Sequence, residues 1–317
     1  MQYQYDGSDE CLIFCPTREN AAGEAEMVAS ALKTCHRLGT SVLLVVDEDD
    51  PQLNEYKAIP RQMADVGQMQ WQTGMVSVMV VEGGTLTKAT NEAVARIWDS
   101  DAIVGHVGDD HRFITPGWDN AIRDAIHEGY FVVYPYDGFR AAWASSWWTP
   151  MKVIRTLGWL AVPGSMHLTI DDVFMDIGAG LGHTPGEYLK FLPNTLVEHL
   201  HPAGGKVEWR AIVKRHYAKD RRQREEENLY RYRRDRFADD IRTLQLALGL
   251  DLTEVKDLSP GQTFRRNMKG RWAMPEASLL PAKVWPTDAE LFDFAGRTAK
   301  GTADYLRMRR DWAKAHR

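Results

Sequence analysis

Ala102-Ile103-Val104-Gly105-His106-Val107-Gly108-Asp109-Asp110-His111-Arg112-Phe113 is the stretch on which the fold turns. Four of its first six residues are apolar and they do not alternate, so the run reads as a buried strand. It closes on a glycine, two adjacent carboxylates and an imidazole. Open α/β sheets gather their ligands at the carboxyl ends of strands. Asp109, Asp110 and His111 offer hard oxygen and borderline nitrogen ligands, which suit Mg²⁺ or Mn²⁺. The same letters also fit an ordinary turn, because Gly-Asp-Asp is common turn chemistry.

Working outward toward the N-terminus, the same pattern recurs. Cys11-Leu12-Ile13-Phe14-Cys15 is an apolar run closed by Pro16-Thr17-Arg18. Residues 20–37 carry Ala21, Ala25, Val28, Ala29, Leu32 and Cys35 at helical spacing, with Asn20 or Thr17 as a start and Gly39 as a stop. Residues 41–46 form a second strand followed by Asp47-Glu48-Asp49-Asp50-Pro51. Residues 76–81 form a third followed by Glu82-Gly83-Gly84, and residues 87–98 read as a helix. This β-loop-α alternation predicts an α/β fold with a mainly parallel sheet and helices on both faces. Acidic or glycine-rich strand ends then fall on one edge of the sheet. Several together read as a cleft for a cation and a polar ligand.

Toward the C-terminus, Gly117-Trp118-Asp119 begins a helix to about residue 128, and residues 131–136 read as a fifth strand. Residues 143–149, with Trp143, Trp147 and Trp148, read as an aromatic loop, and Met151 to Leu157 as a helix. Thr169-Ile170-Asp171-Asp172 opens another helix, whose dipole keeps the two carboxylates ionised. Residues 195–206, containing His199 and His201, read as a short strand and turn. Residues 207–248 are helical and rich in i,i+4 charge pairs, with Phe237, Ile241, Leu244 and Leu248 as an apolar stripe. Gly and Pro make residues 249–286 mostly loop, and a final amphipathic helix is expected over 287–315.

Charge divides the chain. Residues 1–205 carry a net −14 and residues 206–317 a net +9. We therefore expect a body over 1–206 and a basic, mainly helical extension over 207–317. The basic part either packs on the acidic body or meets an acidic partner such as DNA. The three cysteines, Cys11, Cys15 and Cys35, form no CxxC or His/Cys array and read as reduced thiols of a cytoplasmic protein. The first residues have no basic and apolar leader pattern, and no apolar run approaches the ~20 residues of a membrane helix.

Taken in order, the motifs resemble a GT-A glycosyltransferase of the family-2-like group, over roughly residues 10–205. Pro16-Thr17-Arg18 is similar to the loop that holds the nucleotide base. Asp47 is similar to the carboxylate on the uracil or ribose. Gly108-Asp109-Asp110-His111 resembles the DxD motif for ribose and metal, with His111 at its third position. Thr169-Ile170-Asp171-Asp172 resembles the acceptor-side acidic motif, with Asp171 where the family usually has Glu. His199 or His201 resembles the downstream metal histidine. Thr115-Pro116-Gly117-Trp118-Asp119 is similar to glycosyltransferases of bacterial viruses.

The resemblance implies a GT-A body and a nucleotide-sugar donor, with a UDP-sugar first among candidates. It implies Mn²⁺ or Mg²⁺ on Asp110, His111 and a histidine of 199–201, with Asp109 on the ribose. Asp172 would be the base of an inverting displacement, beside Asp171, and Trp143, Trp147 and Trp148 would stack on a sugar. The implied acceptor is a protein, a glycan or a hydroxylated DNA base, the last reached through the basic extension and base flipping. Two other classes share parts of the pattern. A nucleotidyltransferase would need a glycine-rich basic loop after strand one, where this chain has no glycine until Gly23. A non-catalytic nucleic-acid-binding protein would work through the basic extension alone.

Overall fold

The computed structural model describes residues 7–36, 39–65, 76–138, 144–165, 169–183, 187–200 and 219–252. The first half alternates β1 (Cys11–Thr17), α1 (Ala21–Thr34), β2 (Thr40–Asp47), α2 (Leu53–Asp65), β3 (Val76–Val81), α3 (Leu86–Arg96) and β4 (Ile103–His106). The second half contains β5 (His111–Phe113), α4 (Trp118–His127), β6 (Val132–Tyr136), β7 (Trp147–Pro150), α5 (Met151–Leu157), α6 (Ile170–Gly180) and β8 (Leu189–His199). Two further helices follow, α7 (Lys219–Asp235) and α8 (Phe237–Leu248).

The strands form one sheet in the order β3-β2-β1-β4-β7-β6-β8-β5. It is a mixed α/β sheet flanked by helices. β3, β2, β1 and β4 are all parallel. β7 enters antiparallel between β4 and β6, β6 and β8 are parallel, and β5 closes antiparallel on β8.

Period-two alternation sorts the core onto two faces. Cys11, Ile13 and Cys15 of β1 join Val42, Leu44 and Val46 of β2 under α1, α2 and α4. Phe14, Leu43 and Val45 face the other way, toward α3, α5 and α6. Leu229 and Tyr232 of α7 and Phe237, Ile241, Leu244 and Leu248 of α8 are buried in that same second cluster. The described part of the extension therefore shares a core with the body.

Several elements differ from the sequence expectation. α2 was not expected, because Pro60 lies inside it and reads as a breaker. Burial of Tyr56 and Ile59, three residues apart, holds it in place. Residues 147–150 are a strand, not part of an aromatic loop, and β8 begins at Leu189, before residue 195. β5, three residues long, was not separable from the turn before it. The helix expected over 287–315 and the loop expected beyond residue 252 lie outside the described residues.

Candidate functional site

The site assembles where β5 meets β8. Their register sets His111 directly opposite His199. The two rings stack with centroids 4.4 Å apart and planes 8° off parallel. Asp110 immediately precedes β5 and reaches both rings. Its Oδ1 lies 3.2 Å from His111 Nδ1, and its Oδ2 lies 3.2 Å from His199 Nε2. The backbone fixes this geometry: Leu200 N–H donates to the Asp110 carbonyl at 2.8 Å, and His199 N–H to the Asp137 carbonyl at 2.9 Å.

Ligand atoms of Asp110, His111 and His199 all lie within 4.8 Å of one another. Burial opposes charge on Asp110, but the charge of His199 and hydrogen bonds from both imidazoles hold its carboxyl well below the usual range. Burial likewise opposes the His111 imidazolium, yet the Asp110 hydrogen bond and charge lift it above the ordinary value. One carboxylate and two imidazoles this close fit a divalent cation, which would take the place of the bridging protons. His111 Nε2 lies 3.3 Å from Ser145 Oγ, an outer contact that orients the ring. His201 and Trp143 lie outside the described residues.

On the β1 side a directed hydrogen-bond chain runs into Asp109. Asn20 N–H donates to Tyr56 Oη at 2.8 Å, and Tyr56 Oη lies 3.1 Å from Thr17 Oγ1, to which it donates when the Thr17 proton goes to Asp109. Thr17 in turn donates to Asp109 Oδ2 at 2.9 Å. Pro16 is part of β1 and pairs in register with Val45. Arg18 Nη1 donates to Asp47 Oδ2 at 2.5 Å and to Asp49 Oδ1 at 2.7 Å. Gly83 sits over Asp47 with φ +76°; a Cβ there would fall 2.3 Å from the Asp47 Cγ, so only glycine fits. Thr17, Arg18, Asp47 and Asp109 thus come together at the carboxyl ends of β1, β2 and β4.

Beside this cluster, the N-terminus of α6 carries Asp171 and Asp172, both half-buried. Trp147 Nε1 donates to Asp171 Oδ1 at 3.2 Å. His106 Nδ1 lies 4.0 Å from the same oxygen, and the Asp171 charge is felt at His111. Burial and then the His111 charge push the His106 imidazole down to about 3, which keeps it neutral. Asp172 stands in the field of Arg233 from α7.

The tryptophans are placed differently from the sequence expectation. Trp147 is fully buried and stacks on Phe174 at 3.7 Å. Trp148 is fully buried between Trp118 and Phe113. Its indole fills the space left by Gly105, where a Cβ would fall 2.0 Å from Nε1. Both residues belong to a strand covered on its two faces, so they are core and present no ring to a sugar. Trp118 is also core, and Asp119 is fully buried against Arg123. Gly117-Trp118-Asp119 is therefore a structural corner.

Residues near the site that sequence reasoning passed over are Tyr56, Ser145, Glu24 and Arg233. Glu24 is fully buried, and its Oε2 accepts the Cys15 thiol at 3.2 Å. Burial, then the Asp109 charge, push its carboxyl well above the usual range. Of the expected α1 stripe, Ala21, Val28, Leu32 and Cys35 are buried and Ala25 and Ala29 half-buried, while Glu24, Met27 and Ala31 join the buried face.

No family model and no curated protein sequence matches the chain. Solved structures similar to it include a mannosyltransferase, PcManGT from Pyrobaculum calidifontis, in complex with GDP-Man and Mn²⁺. That likeness has a TM-score of 0.46 and 11% identity, over 78% of each chain. Residues 1–349 of S. aureus TarS are similar at TM-score 0.45 and 14% identity, over 96% of this chain and 92% of that one. Glucosyl-3-phosphoglycerate synthase from Mycobacterium tuberculosis, with Mn²⁺, UDP and phosphoglyceric acid, is similar at TM-score 0.42 and 12% identity, over 77% and 80% of the two chains. Likenesses this distant assign no residue of this chain a role.

Proposed function

We propose that this protein is a metal-dependent glycosyltransferase of the GT-A type, moving a sugar from a nucleotide-sugar donor to an acceptor hydroxyl with inversion. The observation that carries this reading is the convergence of Asp110, His111 and His199 at the carboxyl edge of the sheet. They stand between the Thr17–Asp109 chain on one side and Asp171 with Asp172 on the other.

Each part has a task in that chemistry. Asp110, His111 and His199 would hold a Mn²⁺ or Mg²⁺ ion, which would supply Lewis-acid stabilisation for the charge that develops on a leaving diphosphate. Asp109, oriented by Thr17, takes the ribose, and Asp47, with Arg18 and the bare backbone at Gly83, takes the base of a UDP-sugar. Asp172 accepts the proton of the acceptor hydroxyl as its oxygen bonds to the anomeric carbon. The bond from that carbon to the diphosphate breaks in the same step, and the nucleoside diphosphate leaves with the electron pair. Asp171, engaged by Trp147, fixes the first turn of α6 so that its neighbour is held in register. The acceptor is a protein, a glycan or a hydroxylated DNA base; for DNA, the net +9 of residues 206–317 offers phosphate contacts.

The deciding experiment is thermal stabilisation by UDP-, GDP- and TDP-sugars, each with and without Mn²⁺. The expected result is a metal-dependent rise in melting temperature with a UDP-sugar. No metal-dependent rise with any donor overturns the reading. Asp172→Asn is expected to keep that rise and lose sugar transfer; near-normal turnover in this variant would move the base elsewhere.

A further inference from the structure

α6 carries a third carboxylate, fully buried, one turn beyond the half-buried Asp172. Asp176 is 1% exposed, and the i,i+4 spacing puts it on the same helix face as Asp172. Its Oδ2 accepts a hydrogen bond from Arg233 Nε at 2.6 Å and lies 2.6 Å from Nη2 in an ion pair. Arg233 comes from α7, more than fifty residues away in sequence, and is itself largely buried. The charges of Asp176 and Asp172 both stabilise the Arg233 cation, and such attraction is mutual. Without Arg233, two carboxylates would face one another along one apolar-backed helix, and ionising both would be opposed.

We propose that Arg233 is a positioning residue for Asp172: its guanidinium neutralises the buried Asp176 and anchors the helix that carries the base. The inference rests on Asp172 being that base. It makes α7, which belongs to the basic extension, part of the catalytic architecture. The other titratable or charged groups described around this cluster are Asp171 on α6, His106 at the end of β4, His111 on β5, Tyr232 on α7, Arg236 between the two last helices, and Asp240 on α8. None of them replaces Arg233 as a cation bound directly to Asp176.

The test is a carboxyl titration of the full chain labelled with ¹³C-aspartate. The Asp172 resonance is identified by its loss in Asp172→Asn. In Arg233→Met its midpoint rises by about one pH unit, because the cation that favours the Asp172 carboxylate is gone and Asp176, whose carboxyl burial already pushes up, takes a proton. In Asp176→Asn it falls by about one unit, because the arginine remains without its partner charge. The double variant Arg233→Met/Asp176→Asn matches Arg233→Met, because residue 176 is uncharged in both. Opposed shifts are not produced by a merely structural role. Unchanged midpoints, or shifts of the same sign, overturn the proposal. If Arg233→Met does not fold, Asp176→Asn alone decides, since a rise or no change there contradicts it. In turnover of UDP-glucose with Mn²⁺, Arg233→Met lowers kcat with little change in donor KM, and Arg233→Lys restores most of it. A change confined to KM counts against the assignment. The titration needs no substrate, so its failure is distinct from failure of the transferase reading, which the donor panel tests.

Discussion

At the scale of single residues, chemistry here depends on buried groups whose partners are set by their neighbours. Asp110 holds two imidazoles in one plane of approach, and removing it leaves two rings with no shared anion. Mn²⁺ alone is expected to raise the melting temperature of the wild-type protein and to leave Asp110→Ala and His199→Ala unmoved; an equal rise in these variants would sink the metal assignment. Glu24 makes a separate prediction. Burial, with the Asp109 charge, keeps its carboxyl protonated in the folded state well above the ordinary range. The unfolded chain releases that proton in the ordinary carboxylate range, so the folded state binds more protons at higher pH and stability falls as pH rises from there. Glu24→Gln removes this loss. Its stability relative to wild type, from urea melts at pH 5 and pH 7.5, should grow with pH. A constant difference would show that Glu24 ionises normally.

At the scale of elements, one short strand closes the site and a corner at the opposite, amino edge of the sheet braces the fold. β5 is three residues long and owes its place to pairing with β8, which brings residues 111 and 199 face to face. α4 starts at a corner that is tied from four directions. Asp119 accepts from His36 N–H at 2.8 Å and Thr40 Oγ1 at 3.0 Å, while Arg123 binds Asp119, Thr40 and the Asp9 carbonyl. A buried ion pair is costly to break from one side, because the remaining charge stays desolvated. Asp119→Ala should therefore destabilise the protein by about 3–5 kcal/mol, read as a lower urea midpoint. A change near zero would mean that Arg123 finds another anion or reaches water.

At the scale of the whole molecule, the charge division at residue 206 does not divide the described core. Leu244 of α8 and Ile154 of α5 are both fully buried in one cluster. Leu244→Ala and Ile154→Ala are each expected to cost about 2–5 kcal/mol in urea unfolding, with a single transition in both cases. A separate, early transition for Leu244→Ala would show instead that α7 and α8 unfold on their own. Legibility from sequence follows the same geometry. β1, β2 and β4 were readable because strands covered on both faces are continuous apolar runs, and the half-buried edge strand β3 was readable from its run of valines and methionine. β7 was not, because Trp147-Trp148-Thr149-Pro150 has the composition of an aromatic loop. The Arg233–Asp176 pair was hidden because a charge-rich helix reads as solvated until something is seen to cover it.

The chain by itself determined the α/β class, the acidic strand ends on one edge of the sheet, and the residue types able to hold a cation there. Local periodicity and turn chemistry are enough for that, since each depends on neighbours a few residues away. Tertiary structure alone decided which residues meet. Asp110 and His199 lie far apart in sequence, and only the antiparallel register of β5 on β8 sets them 3.2 Å apart. It also decided which candidates are buried. Trp147 and Trp148 were candidates for a ligand face, and the layers packed on both sides of β7 made them core. Burial and long-range pairing are properties of the closed sheet, and no window of sequence contains them.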